Sequence, residues 1–300
     1  MDNPLTSDSR LPATGLAIRP ARPDDRPAME RICAHTWEWG DYLPQVWDHW
    51  LADPAGPVLV GERAGRVVAL SKITFQPEGQ VWLEGMRVDP EYRRQGIARQ
   101  FLDHSLTYAR QHGARVVRLG TGSHNEPVHR MAAHAGMERV GAYLLWTAGP
   151  LPDNPGPTIL TPAHAAQVQA LLTGGSMLAH THGLCNVRWT WQEFSPTYIA
   201  RLLAAGQMVA QPAPDGSLAA LAAVPFDPED ETLWIGLIEG QPDAIASLAT
   251  AIRGHAARIG AARIQVMLPG LDWLQDLFRT AGYGPGDWQG ELWIFERRLG

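Results

Sequence analysis

The sequence predicts a mixed α/β protein made of two similar domains, and three observations favour this fold class. Short apolar runs with strand-like alternation are followed by stretches with helical spacing, in an order that recurs along the chain. A glycine-containing turn stands between an apolar strand that ends at Val88 and a helix that begins near Gly96. Landmarks of the first half return in the second half at a nearly constant distance, and 300 residues suffice for two cores.

Composition excludes several classes of protein. The formal net charge is −6, so a nucleic-acid surface is not expected, and no apolar run is long enough to span a membrane. The polar, acidic first residues lack the pattern of a signal peptide. Cys33 and Cys185 are too few for a disulfide framework and lack metal-ligand spacing. These features predict a cytoplasmic protein without a metal, a nucleic-acid partner or a membrane partner.

The predicted elements of the first half follow from periodicity and from turn residues. We predict strands at 16–19, 58–60, 67–75, 82–88, 115–119 and 137–146, helices at 25–35, 96–112 and 126–135, and a broken helical pair across 35–50. Gly113 and Gly136 follow two of these helices, where glycine commonly ends a helix. The segment 149–157, rich in proline and glycine, predicts a linker between a domain at 14–148 and a domain at 158–300.

The second half repeats the first in outline. Gly113 has a counterpart at Gly260, 147 residues later, and Gly136 has one at Gly282, 146 residues later. Regular offsets across matching landmarks indicate a tandem duplication. Where the second copy should repeat the glycine turn, it carries Glu239 and no basic residues, so we expect this copy to have lost the function of the turn.

The turn after Val88 carries the strongest functional signal. Residues 93–98 fit the pattern R/Q-x-x-G-x-G/A, between a strand with an Asp89-Pro90 stop and an amphipathic helix. Gly96 permits close approach of a ligand to the backbone, and the start of the helix supplies free N–H groups and the positive end of a dipole. The turn therefore predicts a socket for a pyrophosphate, although this geometry alone would suit other phosphates.

With this motif, the segment from about Leu16 to Leu145 resembles the GNAT superfamily of N-acetyltransferases, which bind acyl-coenzyme A at such a turn. The resemblance implies two tandem GNAT acyl-CoA N-acyltransferase folds, the second degenerate, each with a mixed sheet that splays in the middle. It implies acetyl-CoA as co-substrate and a small amine as acceptor. Pairing of such domains through their last strands is common in the superfamily, so a homodimer is one open assembly state.

The resemblance assigns cofactor binding to two neighbouring groups of residues and to one asparagine. The turn binds the pyrophosphate through backbone N–H groups and two arginine side chains: Arg93, Arg94, Gln95, Gly96, Ile97 and Ala98. The strand residues Met86, Arg87 and Val88 pair with the pantetheine arm, and one of their N–H groups polarises the thioester carbonyl. Asn125 matches the family asparagine that touches the cofactor, and it would also suit a plain helix N-cap.

A glutamate and a histidine are the catalytic candidates. Glu84, on the central strand, is expected to take a proton from the ammonium of the acceptor, because burial near an apolar cleft raises the pKa of a carboxyl. Two alternatives stay open: Glu84 anchors that ammonium as a fixed charge, or it only pairs with Arg87. Ala132 replaces the tyrosine that often serves as the acid in the family. His129 shares a helix face with Asn125 and could substitute, or it is an ordinary surface histidine.

An aromatic and acidic segment between 35 and 50 is the candidate acceptor pocket. Its members are Trp37, Glu38, Trp39, Asp41 and Tyr42, followed by Trp47 and Trp50. Carboxylates among aromatic rings suit a cationic amine through charge and cation–π contacts, whereas tryptophans at this spacing equally suit a hydrophobic core.

These features predict an N-acetyltransferase that transfers acetyl from acetyl-CoA to a primary amine of a small molecule by direct attack. Two other functions stay open. One is a non-catalytic CoA-binding sensor or scaffold. Ala132 and the degraded second copy favour it, and the intact phosphate loop and Glu84 oppose it. The other is an N-acetyltransferase that acts on a protein N-terminus or lysine.

Overall fold

The computed structural model describes residues 15–34, 36 and 40–300, and the chain forms two compact units. Unit 1 contains the described residues up to Leu119, with Pro127–Glu138 and Glu296–Gly300, and unit 2 contains Gly120–Glu126 and Arg139–Phe295. The units differ from the halves of the sequence, because the strand after Glu138 joins unit 2 and the last residues join unit 1. The boundaries 14–148 and 158–300 stay a prediction about the sequence.

Unit 1 is built on a mixed sheet with helices against it. Its strands are β1 (Leu16–Pro20), β2 (Val58–Arg63), β3 (Arg66–Gln76), β4 (Gln80–Val88) and the first residues of β5 (Val116–Gly122), and its helices are α1 (Arg26–Cys33), α2 (Leu43–Ala52), α3 (Ile97–Gln111) and most of α4 (Glu126–His134). The five strands neighbour one another in chain order, antiparallel except for the parallel pair β4–β5. These bounds confirm the predicted strands and the predicted helices at 25–35, 96–112 and 126–135 to within a few residues. Of the helical pair predicted across 35–50, α2 is the second helix, and the first falls largely on residues outside the described ones.

The first two helices cover one face of this sheet with apolar side chains. Buried residues of α1 lie three apart, Met29 and Ile32, and those of α2 lie at the spacing of one helix face, with Leu43, Trp47 and Trp50 all buried. They pack with β2 and β3 in a single core cluster. Trp47 and Trp50 are therefore core residues, the second of the two interpretations of the aromatic segment.

The pairing of β4 changes halfway along the strand. Its parallel ladder with β5 joins Gln80–Leu83 to 116–119, and no further β4–β5 pair follows in the described chain. On the other side β4 stays paired with β3, but Lys72 faces Glu84 whereas Leu70 faces Arg87. Two residues of β3 thus span three of β4, so β4 carries a β-bulge.

Gly85 forms this bulge. Its φ is +67°, a backbone conformation that favours glycine, and a methyl group added to it would lie 2.6 Å from the Trp50 ring. The bulge turns the remainder of β4 away from the direction of its first half. The backbone edge of Met86–Val88 therefore lies beyond the β4–β5 ladder, at the point where the sheet splays.

Unit 2 repeats this plan with extra strands. Its strands are β6 (Glu138–Ala148), β7 (Thr158–Ile159), β8 (Leu184–Val187), β9 (Thr190–Glu193), β10 (Met208–Pro212), β11 (Leu218–Ala223), β12 (Phe226–Asp227), β13 (Thr232–Ile235), β14 (Leu237–Gly240), β15 (Arg263–Pro269), β16 (Gly284–Pro285) and most of β17 (Leu292–Arg298). Its helices are α5 (Ala165–Thr173), α6 (Ser176–His180), α7 (Pro196–Ala204), α8 (Pro242–Arg258) and α9 (Asp272–Thr280).

The sheet of unit 2 splits where that of unit 1 does. β13 and β15 pair in parallel from Thr232 to Ile235, and after Gly236 the chain continues as β14, which pairs with β11 instead. β15 also pairs with β6 on its other side, and α8 and α9 correspond in order to α3 and α4. The predicted duplication is confirmed by this shared order of strand, split, helix, strand and helix.

The predicted linker is held in place within unit 2. It contains no helix or strand, but the Leu151 N–H donates to the carbonyl of Arg253 on α8, and the Arg253 side chain donates to the Gly149 carbonyl. Both cysteines are buried thiols. None of the described helices has the length and the apolar character needed to cross a membrane.

A buried arginine fastens the end of the chain to unit 1. The Arg118 side chain has no exposed surface, and it donates to the carboxylate of Glu296 at 2.7 and 2.8 Å and to the Gln80 side chain at 2.6 Å. Leu299 extends this contact through a backbone hydrogen bond to the carbonyl of Arg115. Because a buried cation is stable only when it is paired, the Glu296 carboxylate is needed to neutralise Arg118 inside the core.

We expect Glu296→Ala to lower the free energy of unfolding by about 3 kcal/mol, because it leaves the Arg118 charge buried without its carboxylate. Urea unfolding at neutral pH measures the loss. Arg298→Ala is the matched control, since Arg298 binds the same carboxylate with a side chain that is 69% exposed. The control should lose less than about 1 kcal/mol. Equal losses in the two variants would contradict the role given to Arg118.

Candidate functional site

The turn between β4 and α3 has an unusual backbone. A short 3-10 turn at Pro90–Tyr92 leads into Arg94, whose φ is +60°, and Gly96, whose φ is +76°. The left-handed conformation of Arg94 costs roughly 1 kcal/mol, and such local strain is concentrated at binding sites. Gly96 immediately precedes Ile97, the first residue of a helix of 15 residues.

The space in front of Gly96 is open. A methyl group added to this glycine would have no protein atom within 4 Å, and the side chains of Arg93 and Arg94 are exposed beside it. The first N–H groups of α3 have no side-chain acceptor at Gly96, so they are available to an anion together with the positive end of the helix dipole. The turn therefore fits a pyrophosphate in shape and in charge.

Asp89 holds the start of the turn. Its side chain is nearly buried, and it accepts hydrogen bonds from the Glu91 N–H and from the Arg66 guanidinium, both at 3.1 Å. Arg66 also pairs with the Glu91 carboxylate and lies 5.6 Å from the centre of the Tyr92 ring. Sequence reasoning identified Asp89 only as a strand stop and missed Arg66, which lies 23 residues away.

A second arginine of the neighbouring hairpin contacts the turn itself. Arg63, at the end of β2, donates to the side-chain oxygen of Gln95 at 2.6 Å, and the Gln95 side-chain nitrogen donates to the Glu91 carbonyl at 3.2 Å. Gln95 is thereby fixed from both sides. Arg63 adds a further positive charge near the turn that no local sequence pattern indicated.

Glu84 is the last residue of β4 before the bulge. Its carboxylate accepts a hydrogen bond of 3.2 Å from the Thr74 hydroxyl. Burial raises the pKa of Glu84 to about 7, while the Thr74 hydrogen bond and the positive charge of Lys72 limit the rise. A carboxyl that titrates near neutral pH can accept a proton and release it again, which is the property required of a general base.

Arg87 pairs with Asp41, so the structure does not bear out a Glu84–Arg87 pair. Its guanidinium binds the Asp41 carboxylate at 2.7 and 3.3 Å, and the Asp41 side chain is only 1% exposed. Burial tends to raise the pKa of Asp41, but the hydrogen bonds and positive charge of Arg87, together with the hydrogen bond from the Leu43 N–H, lower it below its usual value. Asp41 thus fastens the aromatic segment to β4.

Tyr42 is an exposed aromatic residue of this segment. Its ring is 41% exposed, lies 5.6 Å from the Arg87 guanidinium and meets the Trp50 ring edge-on at 6.1 Å. Trp37, Glu38 and Trp39 lie outside the described residues, so their assignment to the acceptor pocket stays a prediction. Glu84, Arg87, Asp41 and Tyr42 are brought together in unit 1.

The residues predicted on and before α4 occupy different places. Ala132 is fully buried, whereas His129 is partly exposed. Asn125 lies in the short segment of unit 2 before α4 and donates from its side chain to Thr121 at 3.0 Å. The acid role of His129 and the cofactor contact of Asn125 stay predictions. No cluster of three His, Cys, Asp or Glu side chains in the described chain could hold a metal ion.

The second copy lacks both features of the site. Gly236 follows Ile235 as Gly85 follows Glu84, so an apolar residue takes the place of the carboxylate. β14 ends at Gly240 and α8 begins at Pro242, which leaves no room for a phosphate turn. Glu239 is buried and accepts hydrogen bonds from the N–H groups of Leu178 and Gly240.

The fold and site define an α/β domain with an open, basic turn after the strand at which its sheet splits. The model of the Acetyltransferase (GNAT) family matches residues 26–137, which contain both Glu84 and the turn. Residues 26–137 are therefore similar to the acetyltransferases of the GNAT family. The family uses acetyl-CoA as co-substrate.

Comparisons with known proteins agree with this assignment. The chain is 39% identical over 84 residues to Probable N-acetyltransferase 16 of Homo sapiens and 30% identical over 89 residues to histidine N-acetyltransferase of Oreochromis niloticus. These matches cover 26% and 29% of this chain and 22% and 26% of the relatives, so the chain spans about a quarter of their length.

A solved tandem GNAT protein from the clavulanic acid biosynthesis pathway, without acetyl-CoA, shares the fold along nearly the whole chain. The TM-score is 0.54 at 15% identity, and the match covers 95% of this chain and 99% of that chain. The predicted fold class, two tandem GNAT folds, is confirmed.

We expect Gly96→Ala to weaken the binding of acetyl-CoA at least about tenfold, because the added methyl group occupies the space open to the phosphates. Isothermal titration measures the change. The substitution should also cost roughly 1 kcal/mol of stability through the positive φ.

Gly113→Ala separates the two effects. Gly113 ends α3, has a φ of +79° and likewise has no protein atom within 4 Å of an added methyl group. It should lose similar stability and bind acetyl-CoA as the wild type does. Equal binding by both variants would show that the turn does not hold the phosphates.

Proposed function

We propose that the GNAT domain transfers an acetyl group from acetyl-CoA to the primary amine of a small molecule. The observation that carries this proposal is Glu84, a carboxyl with a pKa of about 7 at the bulge of the strand that leads into the phosphate turn. The likeness to a histidine N-acetyltransferase supports a small amino compound as the acceptor.

The residues that would hold acetyl-CoA lie in two adjacent stretches. The backbone N–H groups of 95–98, with the charges of Arg93 and Arg94, would bind the pyrophosphate. The backbone of Met86–Val88, beyond the end of the β4–β5 ladder, would pair with the pantetheine arm in the manner of an added strand. When bound, acetyl-CoA supplies an acetyl group activated as a thioester.

Glu84 would handle the proton of the acceptor. An amine reaches the site mostly as its ammonium form, which has no lone pair for attack. The ionised carboxylate of Glu84 takes one proton from that nitrogen, and the hydroxyl of Thr74 holds the carboxylate in position through its hydrogen bond. Tyr42, beside the Arg87–Asp41 pair, would form part of the wall against which the acceptor rests.

Direct attack by the amine is favoured over an acyl-enzyme route. An acyl-enzyme would need an accessible nucleophile such as a cysteine thiolate. Cys33 is buried, and burial, assisted by the charge of Asp41, raises its pKa to about 12, so its thiol stays protonated. Cys185 is buried as well.

We expect Glu84→Gln to lower kcat by about 10²-fold or more at pH 7.5, since the amide cannot accept the proton. The dissociation constant of acetyl-CoA should be unchanged. Release of free thiol, assayed against a panel of small amines that includes histidine, measures the rate. Glu62→Gln, on the neighbouring strand β2, is the control and should keep kcat within about twofold.

The same panel distinguishes the other functions. Acetyl-CoA binding without thiol release for any amine would support a sensor or scaffold and sink the enzyme proposal. Turnover with peptide N-termini or lysines, and not with small amines, would move the acceptor to proteins. Full activity of Glu84→Gln would remove Glu84 from the mechanism.

Stability against pH gives a readout of Glu84 that needs no substrate. The folded pKa of about 7 lies above the usual 4.5, so the stability contributed by this group is complete below pH 4.5 and is lost as the pH rises through 7. Glu84→Gln cannot ionise and should gain up to about 3 kcal/mol relative to wild type between pH 4.5 and 8. Urea unfolding across this range measures the difference, and a pH-independent difference would contradict the raised pKa.

A further inference from the structure

Lys72 is the only lysine of a chain in which lysine and arginine together number 25. It lies in the middle of β3, and its side chain is 1% exposed. Taking an ammonium out of water costs several kcal/mol unless the charge is paired and hydrogen-bonded. The one lysine therefore lies where burial of its charge is unfavourable in free energy, and its ion pair and hydrogen bond must offset that penalty.

Two fixed oxygens hold the ammonium. Lys72 Nζ lies 2.8 Å from the Asp53 carboxylate and donates to the Gly56 carbonyl at 2.5 Å. The Ala55 N–H in turn donates to the Asp53 side chain at 2.8 Å. Gly56 has a φ of +152°, and an added methyl group would collide with the Ile73 carbonyl, so the loop fits closely against β3. The charge of Lys72 thus has a defined position.

That position lies beside Glu84. Lys72 and Glu84 are directly opposite each other in the β3–β4 register, so their side chains share a face of the sheet. Thr74, two residues along β3, lies on the same face and donates to the Glu84 carboxylate at 3.2 Å. β3 therefore presents a fixed cation and a fixed donor to the carboxylate immediately before the bulge.

The groups that face Glu84 come from three elements. β3 supplies Lys72 and Thr74, the loop after α2 supplies Asp53, and the segment before α2 supplies Tyr42, whose pKa is raised to about 12 mainly by burial. Burial raises the pKa of Glu84, Lys72 opposes that rise, and Asp53 adds to it by a smaller amount than Lys72 removes. The Asp53–Lys72 pair is thus not neutral in its effect on Glu84.

We propose that Lys72, held by Asp53 and the Gly56 carbonyl, is a positioning residue whose fixed charge sets the pH range in which Glu84 is an ionised base. The inference rests on the proposed function, in which Glu84 accepts the proton of the acceptor. A lysine suits this positioning role, because its compact ammonium on a flexible side chain can bind two oxygens of one loop. Its charge then stays on the face of the sheet that also carries Glu84.

The test compares Lys72→Met, Asp53→Asn and the double variant with the wild type. We expect Lys72→Met to raise the midpoint of Glu84 titration by about one pH unit, Asp53→Asn to lower it, and the double variant to lie between wild type and Lys72→Met. The double variant leaves neither Lys72 nor Asp53 as a buried charge without its partner. It therefore measures the titration midpoint of Glu84 without the Lys72 charge even if Lys72→Met does not fold.

Two readouts are needed. Carbon-13 NMR of labelled glutamate carboxyls, with the Glu84 signal assigned from Glu84→Gln, gives the midpoint without substrate. The pH profile of kcat gives the midpoint in the working enzyme, and the two should move together. Midpoints that stay at the wild-type value in folded single and double variants would overturn the role of Lys72. If the NMR midpoint moves but the pH profile of kcat does not, Lys72 does control the titration of Glu84, but Glu84 is not the base. That result would contradict the proposed function and leave the effect of Lys72 on Glu84 intact.

Discussion

The hydrogen bonding of β4 is the constraint around which unit 1 is arranged. Over Gln80–Leu83 the strand is paired on both sides, and over Met86–Val88 the parallel ladder with β5 has ended. Buried N–H and C=O groups are costly when they lack a partner, so the end of a ladder inside a domain requires other hydrogen bonds. Two of them are present here, from Arg87 to the Met86 carbonyl and from Arg93 to the Val88 carbonyl. The bulge at Gly85 and the tryptophan packed on it lie at this change of pairing, and the turn follows it in the chain.

The sequence alone predicted those parts of the candidate site that are formed by residues close together in the chain. The turn of 93–98 was recognised because a glycine, a helix start and basic residues lie within six positions, and Glu84 because it lies on the same strand. The elements followed from periodicity. The partners that fix these residues were not predictable in this way: Asp41 is 46 positions from Arg87, Arg63 is 32 from Gln95, and Glu296 is 178 from Arg118. With so many arginines in the chain, no spacing rule indicates which one lies beside which carboxylate.

The two copies show how little of the fold depends on the chemistry. Both units split a parallel strand pair next to a glycine, at Gly85 and at Gly236, and both place a long helix after the split strand. Unit 2 nevertheless has Ile235 where unit 1 has Glu84, and its Glu239 satisfies nearby backbone N–H groups instead of leaving them to a ligand. The architecture is thus maintained by its own core, while the anion binding that we propose for unit 1 depends on a turn that can be lost without loss of the fold.

The burial of Lys72 has a consequence for the protein's own chemical durability. Thioesters acylate accessible lysine amines without help from an enzyme, and each such event removes a charge from the surface. In this chain every other strongly basic side chain is an arginine, whose guanidinium stays protonated and is a poor nucleophile. The single ε-amine lies inside the sheet, bound to a carboxylate and a carbonyl. The lysine is therefore shielded from activated acyl groups, and labels or cross-linkers will find no exposed ε-amine on the folded molecule.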